Sequence, residues 1–179
     1  LLGKKLVTKQ TGPQGKIVHR VYIEEVTDIK KELYLGLVFD RASECIMVVA
    51  STEGGMSVEE ISKKKPESII RSKIEVAVGM QRFQAREISF SLGIDPKLIS
   101  RTADAIMGCC RAFSELDATM VEINPLVISK DEHILALDCK MSFDNNALFR
   151  RSQISELRDK AQENPNEVYA SDRGLNYVS

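Results

Sequence analysis

A chain of 179 residues with 25 basic and 26 acidic side chains has a formal charge of −1, which argues against nucleic acid or an anionic membrane surface as its main partner. Hydrophobic content of 43% beside 28% charged residues is that of a soluble globular protein, one ordinary domain or two small ones. Cys45, Cys109, Cys110 and Cys139 lie in apolar runs without CxxC spacing and are read as small buried hydrophobes in a reducing compartment, not as a disulfide frame or zinc site. No apolar run reaches transmembrane length. No signal peptide is visible, but the chain opens on Leu1 without methionine, so that absence carries no weight.

Residues 1–20 are basic and turn-rich, with a loop at 11–15. Residues 21–26 alternate like a strand that ends at Thr27 and Asp28. Leu33, Leu35, Leu37 and Phe39 line one face of a strand running to Asp40. A turn leads into 45–50, apolar on both faces and so expected to be a central, doubly covered strand. Residues 51–55 form a loop with paired glycines. Ser57 and Glu60 make a capping box that opens a short helix, which stops before Pro66. Residues 74–78 read as another short strand. A helix over 81–92 carries Ala85, Ile88 and Leu92 on one stripe and ends at Gly93. Asp95 as N-cap and Pro96 at the first position start the longest helix, to about Glu115, with Ile99, Ala103, Ile106, Cys110 and Phe113 as its stripe. Residues 117–129 and 133–140 read as an antiparallel hairpin. A turn at 144–146 precedes a mostly helical stretch over 147–162, with Ile154, Leu157 and Ala161 as its stripe. Asn164 and Pro165 break it, and 175–178 looks like the start of a strand. Strands arrive as hairpins and helices as a block. The expected fold is therefore α+β with a mainly antiparallel sheet and packed helices.

The hairpin carries the chemistry. Glu122, Asn124 and Asp138 are oxygen-bearing side chains in core-like strands, and a buried carboxylate is costly unless paired, hydrogen-bonded or bound to metal. Glu122 and Asn124 share a face because strand side chains alternate. If 130–132 form a three-residue loop, Ser129 faces His133 and Asn124 falls opposite Asp138, with Cβ atoms about 5 Å apart. A four-residue loop would put Asp138 on the other face. An amide and a carboxylate suit a hard cation, Mg²⁺ before Ca²⁺ or Mn²⁺. Two protein ligands suit an ion that keeps waters and takes phosphate oxygens. The competing reading is plain backbone hydrogen bonding by Asn124 and Asp138 at the sheet rim.

Other motifs are weaker. There is no GxxxxGK[ST] and no GxGxxG, and Gly54–Gly55 reads as a plain turn. His19 and His133 read as surface residues. Glu24, Thr27 and Glu32 bracket a strand end, where ligands meet backbone, although exposed acids on a strand are also ordinary. Lys63, Lys64 and Lys65 read as a solvated helix C-terminus that complements the dipole.

Taken together, the residues resemble the β subunit of succinyl-CoA ligase (succinyl-CoA synthetase), an ATP-grasp enzyme. The matching segments are 1–12, Lys31-Glu-Leu-Tyr-Leu-Gly36, Ser51-Thr-Glu-Gly-Gly55, Val121-Glu-Ile-Asn-Pro-Leu-Val127, Asn146-Ala-Leu-Phe-Arg150 and Leu175-Asn-Tyr-Val178, in family order over essentially the whole chain. The resemblance implies an ATP-grasp fold and an internal piece of the subunit. A glycine-rich phosphate loop would lie upstream and a CoA-ligase domain downstream. It implies Mg²⁺, with ATP/ADP or GTP/GDP as substrate, and a reversible conversion of succinyl-CoA, nucleoside diphosphate and phosphate to succinate, CoA and the triphosphate within the tricarboxylic acid cycle. A phosphohistidine on an α subunit, the partner in a heterodimer or heterotetramer, would carry the phosphoryl group. Asn124 and Asp138 match the family's Mg²⁺ ligands. Glu122 matches the glutamate that steadies the phosphohistidine loop, and Glu24, Thr27 and Glu32 match nucleotide-contacting positions. Cys139 stands where Gly or Ala is usual, and Asn145 replaces a glycine. The implied location is the bacterial cytoplasm, or alternatively the mitochondrial matrix. Three rivals stand beside it: a malate–CoA ligase β subunit, a non-catalytic piece inactive in isolation, and an ATP-grasp ligase using an acylphosphate.

Overall fold

The structure, a computed structural model, describes residues 1–8, 11–160, 163–175 and 177. β1 (Lys5–Leu6) and β2 (Lys16–Ile17) form a small antiparallel hairpin across the turn-rich opening. The strand expected at 21–26 does not form. Tyr22, Ile23 and Val26 are 85%, 87% and 91% exposed. Alternation alone cannot hold a strand: it needs a ladder partner and a covered face, and this segment has neither.

The main sheet is built from β3 (Ile29–Asp40), β4 (Cys45–Ser51), β5 (Ile69–Ile74), β6 (Ala118–Ser129), β7 (Ile134–Ala136) and β8 (Cys139–Phe143). Its order is β5-β4-β3-β6-β7, with β8 also on β6, and every pairing is antiparallel. Leu33, Leu35 and Leu37 of β3, Ile46, Val48 and Ala50 of β4, and Val121, Ile123, Leu126 and Ile128 of β6 form one buried cluster. α2 (Arg82–Ser91) and α3 (Ile99–Glu115) complete it with the two stripes expected from their periodicity. The fold is thus α+β, with helices on a mainly antiparallel sheet.

Several elements depart from expectation for physical reasons. β4 is interior but not central: β3 and β6 hold the middle, and Met47 and Val49 are only half-buried. Phe39, expected on the inner face, is 48% exposed near the end of β3. The strand expected at 74–78 lies earlier, at Ile69–Ile74, because its ladder runs out where β4 begins, with Ile74 opposite Ile46. Beyond it the chain turns, and the Gly79 amide donates to the Glu75 carbonyl. α1 (Val58–Lys64) starts as expected, with the Ser57 side chain accepting from the Glu60 amide. α3 begins at Ile99, not at Pro96. The Asp95 side chain accepts from the Lys97 amide, and its carbonyl from the Leu98 amide, so the first residues form a turn.

The long helix expected over 147–162 is broken. A 3₁₀ segment (Asn145–Arg150) and α4 (Ser152–Ser155) replace it, interrupted at Arg151 with φ −125° and ψ 60°. Arg150 and Arg151 are both drawn to Asp117, at 2.6 and 2.7 Å, which competes with helix continuation. Leu157 is 78% exposed and Ala161 lies outside the described residues. Asn164 and Pro165 start a helix, α5 (Pro165–Ser171), with Asn164 as its N-cap. Leu175 and Tyr177 are in no strand, and 176 and 178 lie outside the described residues.

Candidate functional site

The β6–β7 register pairs Ile128 with Ile134 and Leu126 with Ala136. The Ser129 amide donates to the His133 carbonyl at 2.9 Å, so 130–132 is the three-residue loop that the site requires. The same register continues into β8, pairing Ile123 with Cys139 and Glu122 with Lys140. Between the two stretches the Asn124 amide donates to the Asp138 carbonyl at 3.2 Å. Asn124 and Asp138 are therefore cross-strand partners, with Glu122 two residues along the same strand.

Against β3 the register slips at one place. Leu35 pairs with Ile123 but Leu33 pairs with Leu126, so Asn124 and Pro125, joined by a cis peptide, together oppose Tyr34. This bulge changes which β6 residues point inward, from Val121 and Ile123 to Leu126 and Ile128. Glu122 and Asn124 are left half-buried, outside the helix-covered cluster.

Asn124 also has a local task. Its Oδ1 accepts from the Gly55 amide at 2.8 Å and its Nδ2 donates to the Met56 carbonyl at 2.8 Å. The glycine loop is thus tethered onto the sheet. Gly54 lies against β3 so closely that a Cβ there would meet the Leu33 amide nitrogen at 2.6 Å and Glu32 carbons at 2.7 Å. Gly55 has φ +75°, and a Cβ on it would stand 3.0 Å from Glu32 Oε2. Gly54–Gly55, read from the sequence as a plain turn, is a packed lip over Glu32. The paired glycines were a visible signal, but their partner lies 69 positions away from Gly55.

Asn124 faces Asp138 across the hairpin, with Glu122 two residues along β6 and Glu32 reached from Asn124 through the Gly55 loop. Glu24, exposed, and Thr27, half-buried, lie on the irregular segment ahead of β3, and among the described residues no hydrogen bond or ion pair joins either to those side chains. Among the described residues no three His, Cys, Asp or Glu side chains cluster to hold a metal. A cation at the ladder would therefore rest on the Asn124 carbonyl, the exposed Asp138 carboxylate, and non-protein oxygens. That oxygen-only, open donor set fits Mg²⁺.

Tyr34, which the sequence did not single out, borders the same group and is only 5% exposed. Burial, then the neighbouring Glu122 charge and a hydrogen bond to that carboxylate, push its phenol well above the ordinary range. Lys31 points elsewhere. Its Nζ donates to the Leu92 carbonyl at 2.8 Å, at the C-terminus of α2, and burial pushes its pKa down.

His19 and His133 are exposed. The cysteines are less uniform than expected: Cys45 and Cys110 are buried, Cys109 is intermediate and Cys139 is exposed. Cys139 opens β8, which pairs only with β6, and this leaves it uncovered. Burial pushes the Cys109 and Cys110 thiols up to about 11 and about 12.

A family model described as ATP-grasp domain matches residues 1–128. A probable malate–CoA ligase subunit β of Mesorhizobium japonicum is 58% identical over 99% of this chain and 45% of that protein. ADP-forming succinate–CoA ligase β subunits of Bacillus subtilis and Acidobacterium capsulatum are 49% and 48% identical over 100% and 99% of this chain, and 46% of each relative. The chain spans about half the length of these relatives, 45–46%. Among solved structures, ATP citrate lyase from Methanothrix soehngenii, in complex with citrate and coenzyme A, matches with a TM-score of 0.68 at 18% identity over 96% of this chain and 38% of that one. At that identity the likeness is one of fold. Among the described residues no helix is long and apolar enough to cross a membrane.

Proposed function

Because this chain belongs to the ATP-grasp family, we propose that it forms the nucleotide-binding part of an acid–CoA ligase β subunit, with succinate as the acid. Its residues would serve phosphoryl transfer between ADP/ATP, or GDP/GTP, and a phosphohistidine on an α-subunit partner. The overall reaction would be succinyl-CoA, nucleoside diphosphate and phosphate to succinate, CoA and nucleoside triphosphate, in the tricarboxylic acid cycle. The observation that carries this reading is the ladder pairing of Asn124 with Asp138, beside Glu122 and under the tethered glycine loop.

In this reading Asn124 and Asp138 hold Mg²⁺, which when bound neutralises charge on the phosphate oxygens. Glu122 accepts a hydrogen bond from the incoming imidazole and stabilises its cationic form. Glu32 lies under the glycine lip, where it would orient the nucleotide, and Glu24 and Thr27 would contact it from the segment before β3. The Gly54–Gly55 lip would exclude water from one side. The enzyme would work in the cytoplasm, and this chain alone would be inactive.

The test is phosphorylation of the partner histidine by ATP in the full-length ligase. Asp138→Ala should abolish it with the fold intact, and retained transfer at saturating Mg²⁺ would refute the assignment. Glu122→Gln should slow transfer more than it weakens Mg·ADP binding. A second acid, malate, is favoured by the 58% identity to a probable malate–CoA ligase subunit. Steady-state assays of the assembled complex with each acid decide between them.

A further inference from the structure

Glu122 stands between two strands. Its cross-strand partner on β8 is Lys140, and on β3 it is Gly36. Lys140 is exposed and makes no ion pair with Glu122 among the described residues. Gly36 has no side chain to offer. Nor does its backbone require glycine, since its φ is not in the left-handed region. What occupies the space above it is Tyr34, two residues back on the same face. A Cβ on Gly36 would lie 2.7 Å from the Tyr34 hydroxyl oxygen and 3.1 and 3.2 Å from its Cε1 and Cζ. The phenol ring therefore lies along β3 with its hydroxyl seated almost where a side chain at position 36 would begin. Opposed Cβ positions on paired strands are about 5 Å apart. A hydroxyl at that point is within reach of a carboxylate extending from the Glu122 Cβ.

We propose that Tyr34, seated on the bare surface of Gly36, is the positioning residue for Glu122, its hydroxyl donating to the carboxylate and fixing its direction. The proposal rests on the reading of Glu122 as the acceptor for the partner imidazole. It would fix the direction of a half-buried glutamate: Lys140, across the ladder, is exposed, whereas the phenol is packed. It also explains the glycine at position 36 through space and not through backbone conformation. Charged groups near the pair include Lys140, across the ladder from Glu122, and Glu59 of α1, whose charge reaches the phenol. None of them offers a neutral donor. The buried phenol, held protonated, remains a donor at neutral pH.

The experiment uses the full-length ligase assembled with its histidine-bearing partner. It reads the rate of histidine phosphorylation by ATP, together with Mg·ADP affinity. Tyr34→Phe should slow transfer on the order of tenfold, the loss of one hydrogen bond to a charged group. It should leave Mg·ADP affinity unchanged. Gly36→Ala, which must displace the hydroxyl, should act in the same direction, and its effect should shrink in the Tyr34→Phe background. A parental rate for Tyr34→Phe, with Glu122→Gln still slow, overturns the role of Tyr34. A parental rate for Glu122→Gln overturns the reading of Glu122 itself, and this proposal with it. Should Tyr34→Phe not assemble, Gly36→Ala carries the test with the same two outcomes.

Discussion

The Asn124 carboxamide bridges the glycine loop: Oδ1 accepts from the Gly55 amide and Nδ2 donates to the Met56 carbonyl, each at 2.8 Å. One side chain thereby ties the lip at 54–56 to the strand that also carries Glu122. Loop position and site geometry are coupled through it.

Replacing Asn124 separates the two tasks. Asn124→Ala strands the Gly55 amide and the Met56 carbonyl and should cost about 1–3 kcal/mol. Asn124→Asp keeps an acceptor for Gly55 but loses the donor to Met56. Hydrogen exchange at the Gly55 amide should accelerate strongly in the alanine variant and less in the aspartate variant. Equal protection in all three proteins would show that the carboxamide does not hold the loop.

Gly54→Ala places a Cβ 2.6 Å from the Leu33 amide nitrogen, against backbone that cannot rotate away. The lip should lift, at a cost of about 1–3 kcal/mol. Nucleotide affinity of the full-length subunit should fall in parallel. Parental urea midpoint and affinity would contradict the close packing.

Asp117 gives a pH signature. Hydrogen bonds from Arg150, then Arg151, hold its carboxyl below the usual range. A depressed folded-state pKa stabilises above the unfolded value, near 3.9, and that contribution disappears as pH falls through the folded value. Asp117 has φ +53°, a conformation asparagine tolerates. Asp117→Asn should therefore be less stable than the parent at neutral pH, with the gap in urea midpoint closing below about pH 4. A constant gap from pH 7 to pH 3 would mean that the arginine clamp contributes nothing.

The core makes a simpler prediction. Ile106 is fully buried between α3 and the sheet, so Ile106→Ala should lose about 2–5 kcal/mol. Phe83, on α2, is 69% exposed, and Phe83→Ala should stay within about 0.5 kcal/mol. Chemical denaturation of the two variants checks both.

The parts legible in the sequence were those set by local pattern. The hairpin over 117–140 was legible, and of its two possible loop lengths the fold takes the three-residue one at 130–132 that pairs Asn124 with Asp138. The leucines of β3 and the stripe of α3 marked the core through their periods. What was hidden depends on partners far along the chain. Alternation at 21–26 says nothing about whether a neighbouring strand exists. The bulge at Asn124–Pro125 is visible only against β3, the tether from Asn124 spans 69 positions to Gly55, and Tyr34 matters only because Gly36 faces Glu122. Arg150 and Arg151 looked like helix residues until Asp117 claimed both.

The most direct measurement is a crystal structure of the full-length subunit with Mg·ADP. Asn124 Oδ1 and one Asp138 carboxylate oxygen should both lie about 2.0–2.1 Å from a six-coordinate Mg²⁺ that also takes nucleotide phosphate oxygens. A magnesium ion held by phosphates and waters alone, with Asn124 still engaged only by the glycine loop, would contradict the account.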